Sequence, residues 1–363
     1  MNKIYHSTEV KPWWLENFSR IGYQFQQGHQ EQLLEQIAKG NTVIFWETDW
    51  AMVHKHLSLF KQHKLAHPEL KVIIGMDHSF RYEPMMKRID RDLAGQKDLI
   101  YISTIQYMAE NYDNIQVASV GSNEYWCQHD IAEYVINKWI DKRASVTTKS
   151  HDFVFMKGMR LDAFRKRLLE SFESWTNKSK CFAPEFRSDN KGYDRMKQFQ
   201  QWCQDTFNQS NMFGGFGNGP PRFDYYDQGK IEIVCETTVI DDAVHFSEKL
   251  WRPIACKMPL VVMSSKATLN KFVELGYRLE PFEHYEKINE AKMFDKIPLF
   301  FRMCDSIIND KQMQNKLIET SEYNFNHFWN VRPKMFWPEV IKNASLLFGH
   351  CKVDDIYGKL LEI

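Results

Sequence analysis

Several things are missing from this sequence, and each absence excludes a class. Lys+Arg and Asp+Glu are both 47, so the formal charge is zero. No field of one sign covers the surface to trap nucleic acid, although a local basic cleft is compatible with that balance. Nowhere do about 18 apolar residues run without a charge, so no membrane span is expected. The opening "MNKIYHSTEVKPWW" lacks the apolar core of a secretion signal. The seven cysteines, Cys127, Cys181, Cys203, Cys235, Cys256, Cys304 and Cys351, are scattered and form no C-x-x-C pair. That spacing argues against a disulfide framework and a zinc knuckle, and reduced thiols in a cytoplasmic setting fit it best. The N-x-S matches at Asn17, Asn177, Asn208 and Asn343 are then chance occurrences. No internal repeat and no low-complexity segment stands out.

What is present is the composition of a folded chain: 363 residues, 43% hydrophobic and 26% charged. That length exceeds what one hydrophobic core usually serves, so two domains are expected. Aromatics reach 14%, with 11 Trp, which serve either as large core side chains or as stacking platforms for sugars or bases.

Between Asn41 and Lys142, short apolar runs alternate with longer mixed segments. "TVIFWE" (42–47), "LKVIIGM" (70–76), "DLIYIST" (98–104) and "IQVASVG" (115–121) read as strands buried on both faces. "WAMVHKHLSLFKQHK" and "HDIAEYVINKWIDK" carry helical spacing. This alternation predicts an α/β fold with a parallel sheet and crossover helices. A polar stretch at 141–152 marks a boundary. The pattern then restarts with "DFVFMKG" (152–158) and the basic helix "RLDAFRKRLLESFESW". Residues 208–229 hold five of the 16 glycines and a Pro-Pro, and read as a long loop. Its "GGFGNG" neither ends a strand nor opens a helix, so it is no dinucleotide fingerprint; it is either a lid or a flexible surface loop. The strand "KIEIVCETT" (230–238) follows, and later the helix "KATLNKFVELGY", with Gly276 as its C-terminal cap. The expected domains are 1–145, 146–320 and a helical tail, 321–363, packing back on the first domain.

The richest stretch is "HFSEKLWRPIACKMPLVVMSS", 245–265. Ser247 is a good N-cap, which places Glu248 and Lys249 in the first helical turn. Unpaired N–H groups and the positive dipole end suit phosphate there, with Lys249 to neutralise it and Glu248 to accept ribose hydroxyls. The plainer alternative is that Glu248 answers the dipole and Lys249 is solvated. Pro253 removes a helical hydrogen bond at a cost of roughly 3 kcal/mol. It therefore implies either a very short helix or a kink that aims the first turn.

The arrangement E-T-x(9)-S-E-K-L-W-R-P-I-A, then x-x-x-P-L-V-V, resembles the donor-binding signature of the α1,3-fucosyltransferase-like glycosyltransferases, phage-encoded members in particular. The resemblance covers about 152–290. It implies two facing Rossmann-like domains of the GT-B type, an acceptor-side domain followed by a donor-binding one. It also implies a nucleotide-diphosphate sugar, UDP- or GDP-linked, as donor, and no required metal. On the matching positions, Glu236 is the acidic residue at the strand end, Glu248 and Lys249 contact ribose and diphosphate, and Ser247 and Arg252 flank them. Arg165, with Arg160 as second candidate, is the arginine facing the donor phosphates. For Arg160, Arg165, Lys166 and Arg167, a solvated basic helix is the competing reading. The absence of a clear D-x-D fits metal independence, and Asp241-Asp242 reads as turn chemistry.

A transferase also needs a general base at the acceptor hydroxyl, usually a carboxylate. Asp77 and Glu47, each at a strand end of the N-terminal half, are the preferred candidates; Asp49 and Glu124 are further ones. The acceptor is expected to be a glycan or a hydroxymethylated base in DNA, with the protein in the host cytoplasm if phage-encoded. The alternatives are a non-catalytic nucleotide- or sugar-binding protein of the same fold and a plain DNA-binding module. Balanced charge argues against the last.

Overall fold

The computed structural model describes residues 4–6, 24–28, 32–33, 35–36, 39, 43–47, 72–76, 91, 99–103, 115–119, 140–141, 145–156, 163–183, 223–236, 244, 246–332 and 334–335. The chain divides into two compact units. One is Met1–Ser122 with Lys334–Ile363; the other is Asn123–Pro333. The fold is mixed α/β with parallel sheets. No described helix is long and apolar enough to cross a membrane.

The first unit carries a six-stranded sheet in the order β2-β1-β3-β4-β5-β6. Its strands are β1 (Ile4–His6), β2 (Phe25–Gln27), β3 (Val43–Glu47), β4 (Val72–Met76), β5 (Leu99–Ser103) and β6 (Ile115–Ser119). Every pairing is parallel. The four apolar runs expected as strands are β3 to β6. The short β1 and β2 were not expected. The two helical segments read between the runs lie outside the described residues, apart from Ile140 and Asp141, which are helical.

The second unit carries a four-stranded parallel sheet, order β10-β9-β7-β8. The chain runs through β7 (His151–Phe155), α1 (Ala163–Ser174), β8 (Cys181–Phe182), α2 (Phe223–Tyr226), β9 (Gly229–Cys235), α3 (Glu248–Ala255) and β10 (Leu260–Met263). It continues in α4 (Lys266–Glu274), α5 (Phe282–Glu290), α6 (Lys296–Asn309) and α7 (Lys311–Asn326), then a π-helical turn at His327–Val331. The glycine-rich segment and Asp241-Asp242 lie outside the described residues. β7 and β9 lie side by side so closely that a Cβ on Gly229 would stand 2.5 Å from the Val154 side chain and 2.8 Å from the Phe153 backbone.

Helices cover both faces. Phe164, Leu168 and Phe172 recur every four residues on α1 and are buried. Phe155 meets Phe172 edge-on at 5.4 Å, Phe153 meets Trp175 at 6.0 Å, and Trp175 meets Phe301 of α6 at 5.2 Å. Register pairs Phe153 with Ile231 and Phe155 with Ile233, so α1 and α6 share that face. The opposite face carries Glu232 and the Trp251 cluster. Trp251, fully buried on α3, meets Phe246 at 5.2 Å, Phe272 of α4 at 6.1 Å, Tyr277 at 5.3 Å and Phe328 at 6.3 Å. Gly276 ends α4 as expected. At φ 92° its N–H bonds the Val273 carbonyl (2.9 Å) and the next N–H, of Tyr277, reaches back to Phe272 (3.3 Å), the Schellman pattern. Phe272 and Tyr277 then stack at 4.7 Å, the apolar contact that accompanies that cap.

Candidate functional site

In this sheet the connection leaving β7 goes to β8 on one side, and the connection leaving β9 goes to β10 on the other. The carboxyl ends of β7 and β9 are therefore the topological switch point, where open α/β sheets take their ligands. Of the residues singled out in the sequence, Glu236, Ser247, Glu248, Lys249 and Arg165 belong to elements that end or begin near this edge.

Glu236 continues β9 one step past its end: its N–H bonds the Met263 carbonyl at 3.0 Å. Its side chain is fully buried, and Oε1 accepts the Ser247 N–H at 3.0 Å. That bond joins the strand end to the start of α3. Ser247 is the N-cap, extended at φ −101°, ψ 171°, and its Oγ accepts the Lys249 N–H at 3.3 Å. Glu236 is thus a clamp holding the helix start in place. Glu248 is the first helical residue, and its side chain lies outside the described ones. Lys249 follows, half-buried, in the turn where the dipole is positive.

The helix α1 begins at the carboxyl end of β7, on the other face. Arg165, in its first turn, is only 7% exposed, whereas its neighbours Lys166 and Arg167 are exposed and Arg167 pairs with Glu170 at 3.3 Å. A wholly solvated basic helix does not describe Arg165. Arg165 and the Ser247–Lys249 turn therefore start helices over adjacent strands, β7 and β9.

Arg252 lies near another group. Burial raises the affinity of both Glu232 and Tyr226 for their protons, and the Arg252 charge opposes that rise without outweighing it, so Arg252 stands close to this buried pair beneath α3. Burial, opposed by the Tyr226 hydrogen bond and Arg252, pushes the Glu232 carboxyl up to about 8. The Tyr226 hydroxyl is raised as well, by burial first and the Glu232 charge second. This Glu232–Tyr226–Arg252 group was not foreseen, although a Glu in the apolar run "KIEIVC" is a visible signal. Ser264, beside Glu236, was also passed over.

Glu47 is the last residue of β3 in the first unit, with its side chain outside the described residues; Asp77 and Arg160 lie outside them altogether. No described group of His, Cys, Asp and Glu is arranged to hold a metal. The described cysteines, Cys181, Cys235, Cys256 and Cys304, are not in disulfides.

The chain matches no protein-family model and no curated protein.

Proposed function

We propose that the protein is a nucleotide-sugar-dependent glycosyltransferase that moves a sugar from a nucleoside-diphosphate donor to a hydroxyl acceptor, a glycan or a hydroxymethylated base in DNA. The observation that carries the reading is the start of α3, fixed by Glu236 and Ser247 at the switch point, where the positive end of the helix dipole and Lys249 suit an anion. Arg165, buried in the first turn of α1 by the adjacent strand end, adds a second cation. Sugar transfer itself rests on the resemblance of the S-E-K-L-W-R-P-I-A stretch, and so do the GT-B arrangement of two facing domains and metal independence. The donor is UDP- or GDP-linked, bound by basic side chains.

A thermal-shift screen of UDP-, GDP-, CMP- and dTDP-sugars tests the donor, followed by mass spectrometry of candidate acceptors with the hit. Lys249→Ala should weaken nucleoside-diphosphate binding more than tenfold, because a charge-assisted contact in a partly desolvated turn is lost. Unchanged affinity removes Lys249 from the site. Donor binding with neither hydrolysis nor transfer selects the alternative, a non-catalytic nucleotide- or sugar-binding protein of the same fold.

A further inference from the structure

Two serines follow β10, and their hydroxyls are treated differently. Ser265 caps α4: its Oγ accepts the Thr268 N–H at 3.0 Å and donates to Thr268 Oγ1 at 2.8 Å. Ser264 is 1% exposed, and its Oγ, wholly buried, has no hydrogen-bond partner among the described residues. Leaving a buried hydroxyl unmatched costs about 1–3 kcal/mol, so such a group in a folded protein calls for a cause.

Its place supplies one. Met263 pairs with Cys235, and the Glu236 N–H to Met263 carbonyl bond carries the ladder one step on, so Ser264 stands beside Glu236. By strand alternation both side chains project to the α3 face. Glu236 reaches the Ser247 N–H there, so Ser264 lies where the starts of α3 and α4 come together at the carboxyl ends of β9 and β10. A carboxylate beside a hydroxyl is a poor partner for phosphate and a good one for a neutral diol. A hydroxyl can meet a sugar hydroxyl as donor or acceptor, and the phosphates are left to Lys249 and the first turn of α3.

We propose that Ser264 is a ligand-binding residue whose hydroxyl, between the starts of α3 and α4, hydrogen-bonds the ribose diol of the nucleoside diphosphate. This inference rests on the donor-site reading above and specifies it.

The test is Ser264→Ala in the full chain, read by thermal unfolding without ligand and by calorimetric titration with UDP and GDP and their 2′,3′-dideoxy forms. Removing an unmatched hydroxyl leaves the ligand-free melting temperature unchanged or raised. Affinity for the ribonucleotide that binds should fall about fivefold, one neutral hydrogen bond, with the dideoxy form unaffected. A lowered melting temperature assigns the hydroxyl a partner inside the protein and overturns the proposal. Unchanged ribonucleotide affinity overturns it too, as does an equal loss for the dideoxy form. If neither nucleotide binds the unaltered protein, the donor-site reading fails and takes this inference with it. If Lys249→Ala weakens binding and Ser264→Ala does not, the inference about Ser264 fails alone.

Discussion

Glu232 makes the stability of the second unit depend on pH, and Glu232→Gln isolates that dependence. The carboxyl is 3% exposed on β9, with the Tyr226 hydroxyl and the Arg252 and Cys256 side chains as the polar groups of α2 and α3 on this buried cluster. Burial raises it from 4.5 to about 8. Below 4.5 it is protonated folded or unfolded, and its contribution to stability is complete. Above 4.5 the unfolded chain releases the proton while the folded one keeps it, so stability falls as pH rises, until the folded group also ionises near 8. The slope for one proton is about 1.4 kcal/mol per pH unit, and the loss over the whole window is on the order of 5 kcal/mol. Gln has the shape of the protonated acid, can still accept the Tyr226 hydrogen bond, and cannot ionise. The variant should match the native protein near pH 5 and exceed it by several kcal/mol at pH 8–9. Amide exchange in β9, followed by mass spectrometry across that range, reads the stability of this sheet without requiring the two units to unfold together. Parallel pH profiles for the two proteins would refute the reasoning, because they would mean that Glu232 is ionised in the fold and held by Arg252.

Further outcomes follow from other positions. Glu47→Gln and Asp77→Asn should each retain donor binding, and one of them should abolish turnover; full activity in both removes the two from the acceptor side. Gly276→Ala forces a Cβ into φ 92° and within 2.7 Å of the His327 ring. His327 is held there by its bond to the Leu275 carbonyl at 2.8 Å, so the strain cannot be relieved by a free swing. A loss of about 2 kcal/mol or more is expected in urea unfolding.

What could be read directly from the sequence was what local chemistry decides. Six runs became strands because a parallel sheet buried on both faces leaves little but apolar residues in each run. The Ser247 cap and the Gly276 terminus were legible because each rests on residues within one turn. β1, β2 and β8 were not, because two or three residues are too few to show a period. The surroundings of Arg252 were not legible for a different reason. Lys249 and Arg252 are neighbours on the helix surface at i and i+3, yet one sits at the helix start and the other stands close to buried Glu232. That difference is set by a buried carboxylate on another strand, which spacing alone does not reveal.

Pro253 joins the two kinds of information. Its missing N–H could mean a kink or a short helix, and α3 is eight residues long. Its own carbonyl accepts the Met258 N–H at 2.8 Å, while the Lys257 N–H reaches Ile254 at 3.1 Å and Lys257 takes φ 54°. This is the Schellman pattern again, now built on the proline carbonyl, and it turns the chain into β10 at Leu260. Only the hydrogen bond back to the Lys249 carbonyl is forgone, in a helix that ends within a turn of the proline. Pro253 therefore belongs to the stop of α3, and what aims Lys249 is the other end, where the buried Glu236 carboxylate holds the Ser247 N–H.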